Sequence, residues 1–192
     1  MEKSILSERA NRFFVVTGGP GSGKSSLIGR LQKIGYAGSV EAGRGIIQDQ
    51  VAIGGEALPW RDRMLFAQLM LSWEIRSYRI AAHAAGPVFF DRGVPDVLGY
   101  LRLSGLPAPE HVTKSVAVFR YNRRVFIAPP WREIFRQDSE RKQDFNEAVR
   151  TYDALVAVYT TSGYELVELP KVSLEERVTF VLQAAGLRQS TP

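Results

Sequence analysis

Apolar residues along this chain follow two rhythms that alternate from end to end. Short unbroken runs occur at Phe13-Phe14-Val15-Val16-Thr17, Pro87-Val88-Phe89-Phe90 and Val125-Phe126-Ile127-Ala128. Such runs suit strands buried on both faces of a sheet. Two weaker strand signals lie near Gly38-Ser39-Val40, ending at Glu41, and over Tyr164 to Leu169. Between the runs the period lengthens to that of a helix. Leu27, Ile28, Leu31 and Ile34 predict a helix over 24–34 that stops at Gly35. Further helices are predicted over 42–53, 61–85, 96–103 and 110–118, and another carries Phe145, Val149, Tyr152, Val156 and Tyr159 on one face. In the 61–85 segment the expected buried face is Leu65, Leu69, Trp73, Ile80 and Ala84. Ser173-Leu174-Glu175-Glu176 has capping-box spacing and opens a last helix that ends near Gly186. Strands and helices in alternation predict a three-layer α/β domain around a mainly parallel sheet. No internal repeat or linker divides the 192 residues, so one domain is expected over 1–192.

The first strand and first helix are joined by an informative octet. Gly18, Gly19, Pro20, Gly21, Ser22, Gly23, Lys24 and Ser25 fit G-x-x-x-x-G-K-[ST] at every fixed position. Glycines let backbone N–H groups converge on phosphate oxygens, and the following helix offers its positive dipole end. Lys24 can reach the β- and γ-phosphates, and the Ser25 hydroxyl can ligate Mg²⁺. Ser26 completes the candidate nucleotide-binding set.

Composition narrows the class. The chain has 45% hydrophobic and 23% charged residues, as in ordinary globular proteins. It has no cysteine, which excludes a disulfide framework and a thiolate zinc site. His83 and His111 share no ligand spacing. No apolar stretch approaches the length of a membrane span, and Met1 to Arg9 reads as a polar lead-in without a signal-peptide core. A cytoplasmic protein is expected, with no membrane partner. Of the net charge of +5, residues 120–142 supply +4, through Arg120, Arg123, Arg124, Arg132, Arg136, Arg141 and Lys142 against Glu133, Asp138 and Glu140. Concentrated arginine suits a site for several phosphates, a solvated basic face being the structural alternative.

Three further features bear on chemistry. Phe89-Phe90-Asp91-Arg92-Gly93 delivers an acid and a base to the C-terminal end of a strand, where ligands of parallel sheets bind. Asp91 is the candidate Walker-B acid near Mg²⁺, and Arg92 a neutraliser of charge on the transferred or acceptor group. Alternatively, Asp91 caps the next helix and pairs with Arg92. Glu41, one helical turn before Arg44, is placed to orient an acceptor hydroxyl or take its proton. Its alternative is a helix-start acid with a surface partner. The about fifty residues between the second strand and Asp91 exceed what one crossover needs. This region, about 42–86, includes Trp60, Phe66, Trp73, Glu74 and Arg76, and suits the wall of an acceptor pocket or simple core packing. Residues 129–142, rich in arginine and begun by Pro129-Pro130, suit a lid over the nucleotide.

These motifs together resemble the nucleoside and nucleotide kinase branch of P-loop proteins. The octet is similar to that of adenylate kinases. With Glu41-Ala42-Gly43-Arg44 and Phe90-Asp91-Arg92-Gly93-Val94-Pro95-Asp96, the chain looks closer to a small family of AAA-type ATPase domains. That family includes the ribosylnicotinamide kinase half of the bacterial NAD-regulator protein. The resemblance implies a five-stranded parallel sheet in the order 2-3-1-4-5 with helices on both faces. It also implies Mg-ATP as donor and arginines of the 132–141 segment over the phosphates. The expected catalytic set is Lys24, Asp91, Arg92, Glu41, Arg136 and Arg141. Arg132 joins the nucleotide contacts, Ser25 and Asp91 hold the metal, and Glu41, Arg44, Trp73 and Arg92 face the acceptor. The expected activity is an ATP-dependent phosphotransferase acting on a small nucleoside-like acceptor. A regulatory ATPase or nucleotide-dependent switch without a small acceptor is the alternative. No N-K-x-D tetrad supports a guanine switch, and no stacking-rich basic strand set supports nucleic acid.

Overall fold

Five parallel strands form one sheet in the order β2-β3-β1-β4-β5 in the computed structural model, which describes residues 10–135 and 144–187. The strands are β1 Phe13–Gly18, β2 Ala37–Gly38, β3 Val88–Asp91, β4 Arg124–Ala128 and β5 Glu165–Glu168. β1 lies at the centre, with Val15 opposite Phe90 of β3 and Thr17 opposite Ile127 of β4. The order is the one the resemblance implied.

The continuous apolar runs are explained by two covered faces. Phe13, Val15, Phe90, Val125 and Ile127 point to one side, while Phe14, Val16, Phe89, Phe126 and Ala128 point to the other. The first side is covered by α3 (Arg63–Ala81), α4 (Val94–Leu103), α5 (Glu110–Val118) and α6 (Phe145–Thr161). The second is covered by α1 (Lys24–Lys33) and α7 (Leu174–Ala184). Helix α2 (Ala42–Ile53) packs on α3 through a small cluster of Ala42, Ile46 and Phe66. None of the helices among the described residues is long and apolar enough to cross a membrane.

Three expectations need correction. The second strand is only Ala37–Gly38, so Ser39 and Val40 lie beyond it. The buried side of α3 is Phe66, Ala67, Leu71, Glu74, Tyr78 and Ala81, whereas Leu65 and Ile80 of the expected face are 38% and 60% exposed. An acid in the middle of the buried stripe displaced the apolar count to the neighbouring face. In α6 the buried positions are Ala148, Leu155, Val158 and Tyr159, so that of the expected face only Tyr159 is fully buried.

The Ser173 capping box is present, with Ser173 accepting from the Glu176 amide and Glu176 accepting from the Ser173 amide. It fixes the first turn of α7 against the loop that leaves β5.

Candidate functional site

β1 ends at Gly18, β3 ends at Asp91 in register with Val16, and β2 runs out at Gly38. Their C-terminal ends open onto a cleft of about 790 Å³. Its wall includes Gly21 to Ser26, Ser39, Glu41, Arg44, Gln48 and Asp91, faced by Trp131, Ile134, Leu174 and Arg177.

The glycine-rich loop passes directly into α1, whose N-cap Gly23 supplies no side-chain cap. The first-turn amides thus have no side-chain acceptor there, as a phosphate cradle requires. Lys24 is buried, and its ammonium donates to the Gly19 carbonyl at 2.6 Å and lies 3.3 Å from Ser22 Oγ. Ser22 Oγ also donates to the Gly19 carbonyl, at 2.8 Å, so the loop is tied to itself.

Ser25 Oγ donates to Asp91 Oδ2 at 2.7 Å. Asp91 Oδ1 is buried and has no hydrogen-bond partner among the described residues. Burial raises the Asp91 pKa, and the nearby Lys24 and Arg92 cations oppose that shift. A buried orphan oxygen beside a serine hydroxyl fits a small hard cation. Mg²⁺ needs one or two protein carboxylates when phosphates complete its shell. No cluster of three or more His, Cys, Asp or Glu capable of holding a metal occurs among the described residues, so any cation here would draw on the nucleotide for further ligands.

Beside Asp91 lies a tightly bonded ionic group. Arg92 sits in the left-handed region, at φ 75°, the only non-glycine to do so among the described residues. Its Nε donates to Glu41 Oε1 at 3.3 Å and its Nη1 to Asp96 Oδ1 at 3.0 Å. Asp96 also accepts from Thr17 Oγ1 at 2.6 Å, from the Tyr159 hydroxyl at 2.5 Å and from the Gly93 amide at 3.0 Å. Burial acts to lower the Arg92 pKa, but Glu41, Asp96 and Asp91 outweigh it and keep the guanidinium charged. Glu74 of α3 faces the same group. Burial first, then the charge of Asp96, pushes its carboxyl well above the usual carboxylate range, with Arg92 opposing.

The alternatives left open by the sequence separate cleanly. Asp91 does not cap α4; Asp96 does, by accepting from the Gly93 amide. Arg92 forms its ion pairs with Glu41 and Asp96 rather than with Asp91. Glu41 is the N-cap residue of α2 but gives it no side-chain cap; it lines the cleft, with Arg44.

Other expected residues stand elsewhere. Gly18, Gly19 and Pro20 are buried and do not line the cleft. Trp73 lies on the backbone of Gly45, behind the cleft. Arg132 is exposed and places its guanidinium 4.1 Å from the Phe145 ring centre. Arg136 and Arg141 lie outside the described residues. The basic segment is divided by β4. Arg120 stacks 4.0 Å from the Tyr164 ring centre and donates to the Ser162 carbonyl, and Arg124 donates to the Ala184 carbonyl. Arg120 precedes β4 and Arg124 is its first residue, both at the end of the sheet remote from the cleft, so the run of charge does not form one phosphate site.

Sequence reasoning gave no site role to Ser39, Asp96, Trp131 and Arg177, and named Glu74 only as part of a possible acceptor-pocket wall or of the core. Ser39 Oγ accepts from the Asp91 amide at 3.0 Å and so braces the end of β3. For Asp96 a signal existed: Gly93-Val94-Pro95-Asp96 places a proline and then an acid in a first helical turn. Glu74 and Arg177 carry no local signal, since each is an ordinary charged residue within a helix.

This sheet order, with a glycine-rich loop cradling a lysine at the central strand, defines a P-loop kinase-like domain. Residues 13–177 match the AAA domain family, and the chain belongs to that family. Among curated proteins none matches by sequence. Among solved structures, the chain resembles a NadR protein in complex with NR, at 18% identity and TM-score 0.73, over 97% of this chain and 55% of that one. The chain thus spans about half the length of that protein. It also resembles a deoxyadenosine kinase from M. mycoides, at 11% identity and TM-score 0.66, over 91% of this chain and 98% of that one. A thymidylate kinase from Ehrlichia chaffeensis is similar at 14% identity and TM-score 0.59, over 93% and 100% of the respective chains. At these identities the likeness establishes the fold.

Proposed function

We propose that this protein is a phosphotransferase that moves the terminal phosphoryl group of Mg-ATP to a small, nucleoside-like acceptor. The observation that carries the reading is the buried, unpartnered Asp91 Oδ1 next to Ser25 at the mouth of the glycine-rich loop. The bond from Arg92 to Glu41, which lines the cleft, supports the reading of a second set of reactive groups there. A similar structure was solved with AMP-PNP, and the fold is that of nucleoside and nucleotide kinases.

In this reading the amides of residues 21–26 and Lys24 bind the β- and γ-phosphates. Lys24 gives up its bond to the Gly19 carbonyl to do so. Ser25 and Asp91 hold Mg²⁺, which supplies neutralisation of phosphate charge when bound. Glu41 orients the acceptor hydroxyl, held at the correct angle by Arg92, and Arg92 stabilises charge that spreads onto the transferred group. Helices α2 and α3 form the acceptor side, through Arg44 and Gln48 on the cleft wall, with Trp73 supporting α2 from behind. The segment 129–142 acts as a lid that excludes water; its described part already sets Trp131 and Ile134 on the cleft and Phe135 on Gly21. Charge neutralisation by arginines of that segment remains part of the proposal for Arg132, Arg136 and Arg141.

The test is ADP release from Mg-ATP with and without a panel of nucleosides and nucleotides. Release that depends on one acceptor class is expected; release indifferent to every acceptor assigns the protein instead to regulatory ATPases. Lys24→Ala is expected to abolish turnover while leaving the circular dichroism spectrum unchanged. Native-level turnover in that variant overturns the reading.

A further inference from the structure

Arg177 of α7 is 3% exposed, yet no carboxylate partners it among the described residues, and burial alone acts on its pKa, lowering it. Buried guanidinium groups are costly unless paired. Its Nη1 donates to the Ser22 carbonyl at 3.1 Å, while its Nε is buried without a hydrogen-bond partner among the described residues. The guanidinium lies 5.8 Å from the Trp131 ring centre and lines the cleft. The position is fixed from below, because the Arg177 amide donates to the carbonyl of Ser173, the residue that caps α7.

The bond to Ser22 has a stereochemical consequence. In a trans peptide the carbonyl and the following N–H point in opposite directions, and no cis peptide occurs among the described residues. Holding the Ser22 carbonyl toward α7 therefore turns the Gly23 N–H away from it. Gly23 has φ 81°, and a Cβ there would come within 2.8 Å of Arg177 Nη1. Glycine at this position thus serves the left-handed turn and also leaves room for the guanidinium to reach the carbonyl.

We propose that Arg177 is a positioning residue of the phosphate loop: by holding the Ser22 carbonyl it presents the Gly23 N–H to the polyphosphate of the nucleotide, and its unpaired charge is answered when that anion binds. The inference rests on the triphosphate reading above and adds to it a residue from the far end of the chain. It acts on the phosphate chain, independent of the base.

The experiment compares the native protein with Arg177→Met, Arg177→Gln and Arg177→Lys by calorimetric titration with Mg-ATP and, separately, with magnesium tripolyphosphate. Arg177→Met and Arg177→Gln are expected to weaken both ligands by the same factor, about tenfold or more, the size expected for a charge-assisted hydrogen bond. Arg177→Lys, which keeps a charge and a donor for the carbonyl, is expected to recover most of the loss for both. If Arg177→Met does not fold, Arg177→Gln, which is polar, decides alone. Tripolyphosphate affinity within about twofold of native in a folded Met or Gln variant overturns the inference. So does a loss confined to ATP, which would assign Arg177 to the nucleoside end. A lower melting temperature with unchanged affinity marks a purely structural arginine and also overturns it. A native protein that binds neither ligand defeats the nucleotide reading and this inference together, whereas native binding with indifferent variants defeats this inference alone.

Discussion

Arg92 holds a backbone angle that its side chain alone explains. A left-handed residue with a Cβ costs about 1 kcal/mol or more, and glycine would adopt φ 75° without that cost. The guanidinium offsets the strain by bridging Glu41 and Asp96, its side chain 16% exposed. Arg92→Ala leaves two acids without their cation and retains the strained angle, so a loss of about 3 kcal/mol is expected in urea denaturation. Arg92→Gly, which relieves the angle, is expected to be about 1 kcal/mol more stable than Arg92→Ala. Equal stability of the two would show that the backbone carries no strain there. At this scale the motif residues were legible because their chemistry demands fixed spacing: the loop lysine, Ser25 and Asp91 all meet where the pattern placed them. Asp96 was less so. It lies only five residues beyond Asp91, the last residue of β3, and nothing in composition tells which of two acids faces the cleft and which locks the helix.

Helix α3 shows why an element can be found while its orientation is missed. Its existence follows from length and periodicity, and Asp62 caps it by accepting from the Leu65 amide at 2.8 Å. Its buried stripe, however, contains Glu74, which no count of apolar residues selects. The acid is legible only after the ionic group around Arg92 is assembled from four other elements. Its raised pKa has a defined consequence for stability. The folded protein retains a proton on Glu74 that the unfolded chain gives up, so the native state binds more protons above the ordinary carboxylate range, and stability falls as pH rises through that window. Glu74→Gln removes this dependence. The difference in melting temperature between the variant and the native protein is expected to grow in the variant's favour from acid toward neutral pH. A difference that is constant with pH would show Glu74 to be ionised in the fold. β2 and α6 teach the same lesson on a smaller scale, since a two-residue strand has no period, and a helix that carries Tyr152 and Tyr159 among its aliphatic residues offers two adjacent apolar faces.

The whole molecule is organised by a sheet covered on both sides, and its centre carries most of the stability. Phe126 is fully buried on the side of α1 and α7, with its ring centre 6.3 Å from that of Phe14. Phe126→Ala is expected to cost about 3–5 kcal/mol in urea denaturation; a cost below 1 kcal/mol would contradict the packing described for that side. Fold class was legible at this scale because buried parallel strands leave unbroken apolar runs, whereas the strand order was implied only by the family resemblance. Charge was not, because β4 leaves Arg120 and Arg124 at one end of the sheet and Arg132 beyond the other. The margins of the sheet have a different consequence. On one flank β2 offers two residues, and on the other β5 begins and ends with the exposed Glu165 and Glu168. Neither flank presents an uncharged ladder long enough to recruit a neighbouring backbone. Among the described residues the sheet edges therefore offer little to strand-by-strand accretion in concentrated solutions of the folded protein.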